Sequence, residues 1–165
     1  MNEQEPKGGR FRRYAPVVIW MAVIFAASTS ALSGTNTSRI VGPILHWLFP
    51  NISDVKVEIA HLVVRKAAHV TEYAILALFT ARALTTSSRA TLRRWFFYAT
   101  LFLVVVYSLS DELHQSYVAS RTGSIYDSLI DILGGLTALT VYTVLRRRHQ
   151  GLGIGVRDES AVIGT

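Results

Sequence analysis

Membrane-length apolar stretches leave this chain little room for any other structure. A helix needs about 20 mostly apolar residues to cross the hydrocarbon core of a bilayer. Four stretches approach that requirement, and they are residues 14–32, 67–84, 95–109 and 125–145. Half of the chain's 165 residues are hydrophobic and only 17% are charged, against roughly 25% in soluble domains. The sequence therefore predicts an all-α integral membrane protein, a bundle of four transmembrane helices.

A shorter apolar segment separates the first two predicted spans. Residues 39–49 are too few to cross a bilayer, and their aromatic and aliphatic side chains favour an amphipathic segment at the interface. Pro50 and Asn51 end it, and the polar residues 33–38 before it predict a turn-rich connection. A long helical pattern follows over residues 55–84. Its first part is amphipathic, and its second part is the second span.

The composition of the two ends of the chain predicts a three-part organisation. Residues 1–13 are polar and basic, which favours a disordered tail. Residues 14–149 form the membrane domain. Residues 150–165 are rich in glycine and predict a second flexible tail.

Positive charge is divided unevenly between the two sides of such a bundle. With four spans, 12 of the 17 Lys and Arg residues fall on the side of the termini and 5 on the other. Cytoplasmic loops carry the excess of Lys and Arg, so both termini are predicted to be cytoplasmic and the segment 39–49 extracytoplasmic. The net charge of +6 is then explained by anionic lipid, and no nucleic-acid partner is expected.

Ionisable side chains cluster at the extracytoplasmic ends of three spans, where they are costly and usually functional. Residues three, four or seven positions apart share one face of a helix. Three such faces are Lys66, His69 and Tyr73 in the second span, Asp111, His114 and Gln115 in the third, and Asp127, Asp131 and Gly134 in the fourth. Gly134 and Ala138 form a pair of small residues that would let another helix approach closely. The sequence thus predicts that the three faces meet inside the bundle.

Each group in this cluster has a catalytic and a structural interpretation. His69 could be a general base, or it could hydrogen-bond Asp111 or Asp127 and tie two spans together. Asp111 and Asp127 could form an acid–base pair. Arg121 could bind a phosphate or carboxylate, or pair with one of these aspartates. Glu112 points about 100° away from Asp111 on a helix and is expected to be solvated.

Metal and cysteine chemistry have little support in the sequence. His69, His114, Asp111 and Asp127 are suitable ligand types for zinc, manganese or iron, but no fixed spacing such as His-Glu-x-x-His occurs. The chain has no cysteine, which excludes disulfides and a cysteine nucleophile. Neither a metal nor a cofactor is expected.

The segment from Tyr107 to Gly135, YSLSDELHQSYVASRTGSIYDSLIDILGG, resembles the signature of the VanZ-like family of bacterial membrane proteins. That signature has Ser-Asp-Glu, two residues, Gln, an Arg-centred loop and further Asp and Gly residues. An upstream Lys-x-x-His-x-x-x-Tyr element also matches, and the resemblance covers residues 39–145. The family's polar positions fall on Lys66, His69, Tyr73, Ser110, Asp111, Glu112, Gln115, Arg121, Asp127 and Asp131. Ala119 stands where family members commonly have proline.

The resemblance implies a bacterial plasma-membrane protein and two functional hypotheses. The family's namesake is associated with low-level resistance to teicoplanin, a lipid-tailed glycopeptide antibiotic. The favoured hypothesis is therefore a non-catalytic protein that binds an anionic lipid, a cell-wall precursor or a lipidated glycopeptide at its extracytoplasmic side. The alternative is an intramembrane enzyme that transfers or hydrolyses a group on a lipid-linked substrate. In it, His69 or Asp111 would be the base and Arg121 would hold the leaving group.

Overall fold

The structure is a computed structural model that describes the backbone of residues 7–29, 34–117 and 125–162, and the side chains of residues 9–29, 41–117 and 125–150. Within these ranges all regular structure is helical, as predicted. The six helices are α1 Lys7–Ser28, α2 Gly34–Leu48, α3 Asp54–Thr85, α4 Ala90–Arg94, α5 Phe96–Ser116 and α6 Ile125–Val162.

Helix α3 is the centre of the bundle. It contacts each of the other five helices and packs most extensively against α6. Small or fully buried side chains of α3, including Leu76, Ala77 and Ala81, meet Ile24 of α1 and Leu139 of α6 in the apolar core. Small side chains let helix backbones approach closely, which compensates in lipid for the absence of a hydrophobic driving force between helices.

Three helices are long and apolar enough to cross a membrane, namely residues 9–28 of α1, 96–116 of α5 and 125–150 of α6. Helix α3 is not among them, because His69, Glu72 and Arg82 lower its hydropathy. These three candidates surround α3 and expose large apolar side chains such as Phe102. A helix shielded by its neighbours can carry more polar groups than one that faces lipid, so α3 is compatible with a fourth span. That α3 crosses the membrane stays a prediction.

Helix α2 packs only against α3 among the described helices, and the two join through the turn at Pro50 and Asn51. A Cβ on Gly42 would lie 3.9 Å from His61 Nε2, which places α2 beside the first part of α3. The predicted turn over residues 33–38 is wrong from Gly34 onward, since these residues extend the helix. At 15 residues α2 is too short to span a bilayer, and Trp47 is 81% exposed. Its interfacial position stays a prediction.

The helices extend further than the sequence patterns indicate. Helix α1 begins at Lys7, within the segment expected to be disordered, and α6 continues to Val162 through the segment expected to be flexible. A short helix, α4, also lies within the predicted polar loop of residues 85–94. Once a helix is nucleated, each further residue adds a hydrogen bond, so it can continue through glycines that each cost about 1 kcal/mol.

The bundle has two chemically different ends. The polar end comprises Ser28 and residues 65–73, 107–115 and 127–135, and the basic end comprises residues 10–14, 82–96 and 142–150. At the polar end, two adjacent glycines of α6 bring three helices together. A Cβ on Gly134 would lie 2.9 Å from the Val70 carbonyl oxygen of α3, and one on Gly135 would lie 2.8 Å from Val104 of α5. The close approach predicted at Gly134 is confirmed.

Candidate functional site

An ion pair forms the outer part of the site. Lys66 Nζ of α3 donates to Asp127 Oδ1 in the first turn of α6, and Arg65 Nη2 lies 3.5 Å from Asp127 Oδ2. The Lys66 side chain is 43% exposed and that of Asp127 is 18% exposed. Ion pairs this accessible contribute about 0–1 kcal/mol. Asp127 therefore positions the ends of α3 and α6 relative to each other more than it stabilises the fold.

One helical turn deeper, His69 faces Asp131. His69 Nδ1 lies 3.6 Å from Asp131 Oδ1, and the Asp131 side chain is only 1% exposed. The other carboxylate oxygen of Asp131 accepts a hydrogen bond from Ser108 Oγ of α5 at 3.5 Å. The Ser128 carbonyl oxygen, 3.3 Å from Ser108 Oγ, is the alternative acceptor for the single hydrogen of this hydroxyl, and either bond ties α5 to α6. A buried carboxylate is thus held between α3, α5 and α6.

A second carboxylate, Asp111, lies on α5 and faces α1. Gln115 Nε2 donates to Asp111 Oδ2 at 2.9 Å and to Ser28 Oγ of α1 at 3.3 Å. All three side chains are buried. The last turn of α1 is therefore part of the site, which the sequence patterns did not indicate.

Tyr73 lies at the centre of this arrangement, next to His69 and Asp131. Tyr73 is fully buried, and the carboxylates of Asp111 and Asp131 act on it electrostatically. Helices α3, α5 and α6 thus contribute to one group of interacting polar side chains.

These residues form what we call the polar cluster: Ser28, Arg65, Lys66, His69, Tyr73, Ser108, Asp111, Gln115, Asp127 and Asp131. Seven of them match the predicted ligand-binding positions. Ser28, Arg65 and Ser108 were not among those positions. Arg65 carried the clearest sequence signal, because it lies directly beside Lys66 on a helix that enters the membrane region.

The partner predicted for His69 is wrong. The expected hydrogen bond to Asp111 or Asp127 is replaced by the facing carboxylate of Asp131. Helices α3 and α6 run parallel, so Lys66 pairs with Asp127 and the residue one turn further in, His69, meets Asp131. Asp111 and Asp127 each bond to other side chains, so the structure records no direct contact between these two carboxylates as an acid–base pair.

Two further residues of α5 have surroundings that differ from those expected from the sequence. Glu112 is only 8% exposed, although it was expected to be solvated. Helix α5 contacts α1, α3, α4 and α6, so a rotation of about 100° from Asp111 does not reach solvent. His114 stacks on Phe25 of α1, with ring centroids 4.6 Å apart, instead of joining Asp111.

Two residues singled out in the sequence, Arg121 and Ala119, lie outside the described residues, so the predictions about them stay predictions. Among the described residues, no group of three or more His, Asp or Glu side chains is arranged to hold a metal ion.

The fold and the polar cluster together define a class, that of helical membrane proteins with a buried polar site at one end of the bundle. Comparison with protein families narrows this class. The VanZ/LLP1 family model matches residues 14–146, which is most of the chain, and the protein belongs to this family. Comparison with curated proteins and with solved structures finds no match.

Proposed function

We propose that this protein is a non-catalytic membrane protein whose polar cluster binds the polar head of a lipid-linked ligand at the extracytoplasmic side. The observation that supports the proposal best is that ionisable side chains of α3 and α6 face one another inside the bundle, with Asp131 only 1% exposed. A ligand that bonds to these side chains would gain hydrogen bonds, each with a net value of about 0.5–1.5 kcal/mol.

The charges of the polar cluster favour one kind of ligand. Asp127 is neutralised by Arg65 and Lys66, whereas Asp111 is bonded by the uncharged Gln115. Carboxylates accept hydrogen bonds and attract cations, so the inner part of the site suits amide or ammonium donors. An anionic group of the same ligand would fit at Arg65 and Lys66 by competing with Asp127. Of the ligand classes implied by the family resemblance, a peptide-bearing cell-wall precursor or lipidated glycopeptide meets both requirements better than a simple anionic lipid.

Exposed apolar side chains near the polar cluster support the approach of a ligand from the membrane. The first part of α3 carries exposed apolar side chains at Val55, Ile59 and Val63, and Trp47 and Phe49 are exposed at the end of α2. Apolar side chains at a helix surface partition into the boundary between headgroups and acyl chains. A ligand anchored by a lipid tail would therefore approach the site along the same layer.

One contact favours an enzyme as the second candidate. A carboxylate facing an imidazole, as Asp131 faces His69, is the arrangement that orients a general base. Serine nucleophilic catalysis is disfavoured, because Ser108 donates to Asp131 or Ser128 and not to His69. In this candidate a water activated by His69 would hydrolyse a lipid-linked substrate.

Binding can be tested with purified protein in nanodiscs and a fluorescent lipid-tailed glycopeptide of the teicoplanin type. Tyr73→Phe removes the buried hydroxyl and leaves the ring, so it should weaken binding by about fivefold or more. Tyr126→Phe is the matched control, since Tyr126 is 73% exposed, and it should bind as wild type does. Equal affinity in all three proteins would contradict the proposed site, and a tail-less glycopeptide should bind more weakly than the tailed one.

The enzyme candidate predicts a different result in cells. Lipids and lipid-linked wall precursors would be compared by mass spectrometry in cells that carry the wild type, Asp131→Asn, Asp111→Asn or no protein. A species that appears or disappears only with the wild type would identify an enzyme, and its mass change would identify the transferred group. Identical profiles support a binding protein.

A further inference from the structure

The turn that joins α2 to α3 borders a pocket of about 540 Å³, which is lined by Leu48, Phe49, Pro50, Asn51, Ile52 and Lys56. We propose that this pocket holds an acyl chain of an anionic phospholipid, with the phosphate of that lipid at Lys56. The pocket shares no residue with the polar cluster, so the two sites can be tested separately.

The lining of the pocket fits an apolar chain. Four of the six lining residues are apolar, namely Leu48, Phe49, Pro50 and Ile52. Pockets of about 300–1,000 Å³ with mostly apolar walls and a few polar groups are typical of sites that bind small molecules. Leu48 and Phe49 are each more than half exposed. An acyl chain in the pocket would therefore remove apolar surface from water, which the hydrophobic effect favours.

Lys56 gives the pocket a positive charge. It is the single charged residue among the six that line the pocket, and its side chain is exposed. Within the described residues, Lys56 forms no ion pair with a carboxylate. Asp54 and Glu58 lie two positions before and after it, and residues two apart on a helix do not face each other. The pocket therefore favours a lipid with an anionic head over one without net charge.

Backbone hydrogen bonds hold the walls of the pocket in place. The Phe49 N–H donates to the Leu45 carbonyl oxygen at 2.8 Å, and the Ile52 N–H donates to the Phe49 carbonyl oxygen at 3.0 Å. At the start of α3, the Lys56 N–H donates to the Ser53 carbonyl oxygen at 2.9 Å. A turn fixed in this way lowers the entropy that binding costs.

The residues next to the pocket are typical of a membrane–water interface. Trp47, directly before it in the chain, is 81% exposed, and Val55, beside Lys56, is 68% exposed. Tryptophan is enriched at such interfaces, where its ring lies at the level of the headgroups. A lysine at the same level lays its aliphatic stem along apolar surface and keeps its ammonium among the headgroups. A membrane lipid satisfies both the apolar wall and the charge, whereas a soluble anion uses only the charge.

The test uses the full-length protein in phosphatidylcholine nanodiscs that carry a small fraction of a photoactivatable lipid, with a diazirine at the end of one acyl chain. Mass spectrometry locates the residues that become cross-linked. Photoactivatable phosphatidylglycerol should label residues 48–52 about fivefold more than photoactivatable phosphatidylcholine does, through the charge of Lys56. Phe102 of α5 is 70% exposed and lies outside the pocket, so the two lipids should label it equally.

Three variants separate the charge of Lys56 from the total charge of the protein. Lys56→Gln should abolish the preference for phosphatidylglycerol at residues 48–52. Lys56→Arg should keep the preference, because the positive charge is retained. Arg148→Gln is the matched control. It removes one exposed positive charge outside the pocket and should keep the wild-type preference.

Four results would overturn the proposal. Equal labelling of residues 48–52 by the two lipids in the wild type would show that the pocket does not recognise the head. An unchanged preference in Lys56→Gln would assign the recognition to another group. Labelling by phosphatidylglycerol no stronger at residues 48–52 than at Phe102 would show contact with bulk bilayer only. No labelling of residues 48–52 by either lipid would show that protein covers the pocket.

Discussion

The two ends of this helical bundle differ in the sign of their charged side chains and in how deeply these side chains are buried. All seven acidic side chains that the structure describes lie at the polar end or in the first part of α3. Ten of the thirteen described Lys and Arg side chains lie at the basic end. At the polar end the carboxylates of Asp111, Glu112 and Asp131 are buried between helices, whereas at the basic end Arg147, Arg148 and most of the other arginines are exposed.

The cost of burying a charge explains this contrast. Burial is costly unless partners surround the charge, so the polar end must hold its groups in fixed positions. Exposed arginines need no fixed partner and can interact with headgroups over a wide area.

The largest expected effect is a difference in cysteine labelling that shows which end of the bundle faces the cytoplasm. The chain has no cysteine, so single cysteines can be introduced and labelled with a membrane-impermeant maleimide. We expect Tyr117→Cys, at the polar end, to be labelled in intact spheroplasts, because the positive-inside rule places the basic end in the cytoplasm. Arg148→Cys should be labelled only after permeabilisation. The reverse pattern would place the polar cluster in the cytoplasm and contradict an extracytoplasmic ligand.

A smaller but substantial effect is expected where α3 and α6 touch at the polar end. Gly134→Ala puts a methyl group 2.9 Å from the backbone oxygen of Val70, and overpacking of this kind costs about 1–3 kcal/mol. The melting temperature in detergent should fall. Gly42→Ala is the control, because its Cβ meets only His61 at 3.9 Å, and it should melt at or above the wild-type temperature. Equal melting of both variants would show that close helix contact is not what holds the polar end together.

Sequence patterns predict the helices well because membrane insertion constrains composition so strongly. The long helical pattern over residues 55–84 is confirmed as α3, and the third apolar stretch continues into the charged residues 110–116 as one helix, α5. Periodicity also predicts that Lys66 and His69 share one face of α3 and that the two aspartates share one face of α6, and these faces do meet. Each of these features depends on local sequence and on the need to keep charge away from lipid.

The pairing of individual side chains could not be predicted, because it depends on how far one helix is shifted along its neighbour. The close approach of Gly134 to the backbone of α3 accompanies the shift at which His69 meets Asp131 rather than Asp127. The burial of Glu112 likewise depends on how many helices surround α5. The contribution of Ser28 had no periodic signal, since it comes from the last turn of α1, at the end of a long apolar stretch.

The smallest expected effect distinguishes a buried hydroxyl from an exposed one on the same helix. Ser108 is fully buried and donates across to Asp131 or to the Ser128 carbonyl of α6, whereas Ser110 is exposed and donates to Val106 of its own helix. Interhelical hydrogen bonds in membrane proteins average about 0.6 kcal/mol, so Ser108→Ala should lower the melting temperature slightly and Ser110→Ala should not. Because Ser108 also holds Asp131, its loss should weaken ligand binding more than it lowers stability. A stability loss without a change in affinity would mean that Asp131 is fixed by His69 and α6 alone, and that the hydroxyl serves packing between helices.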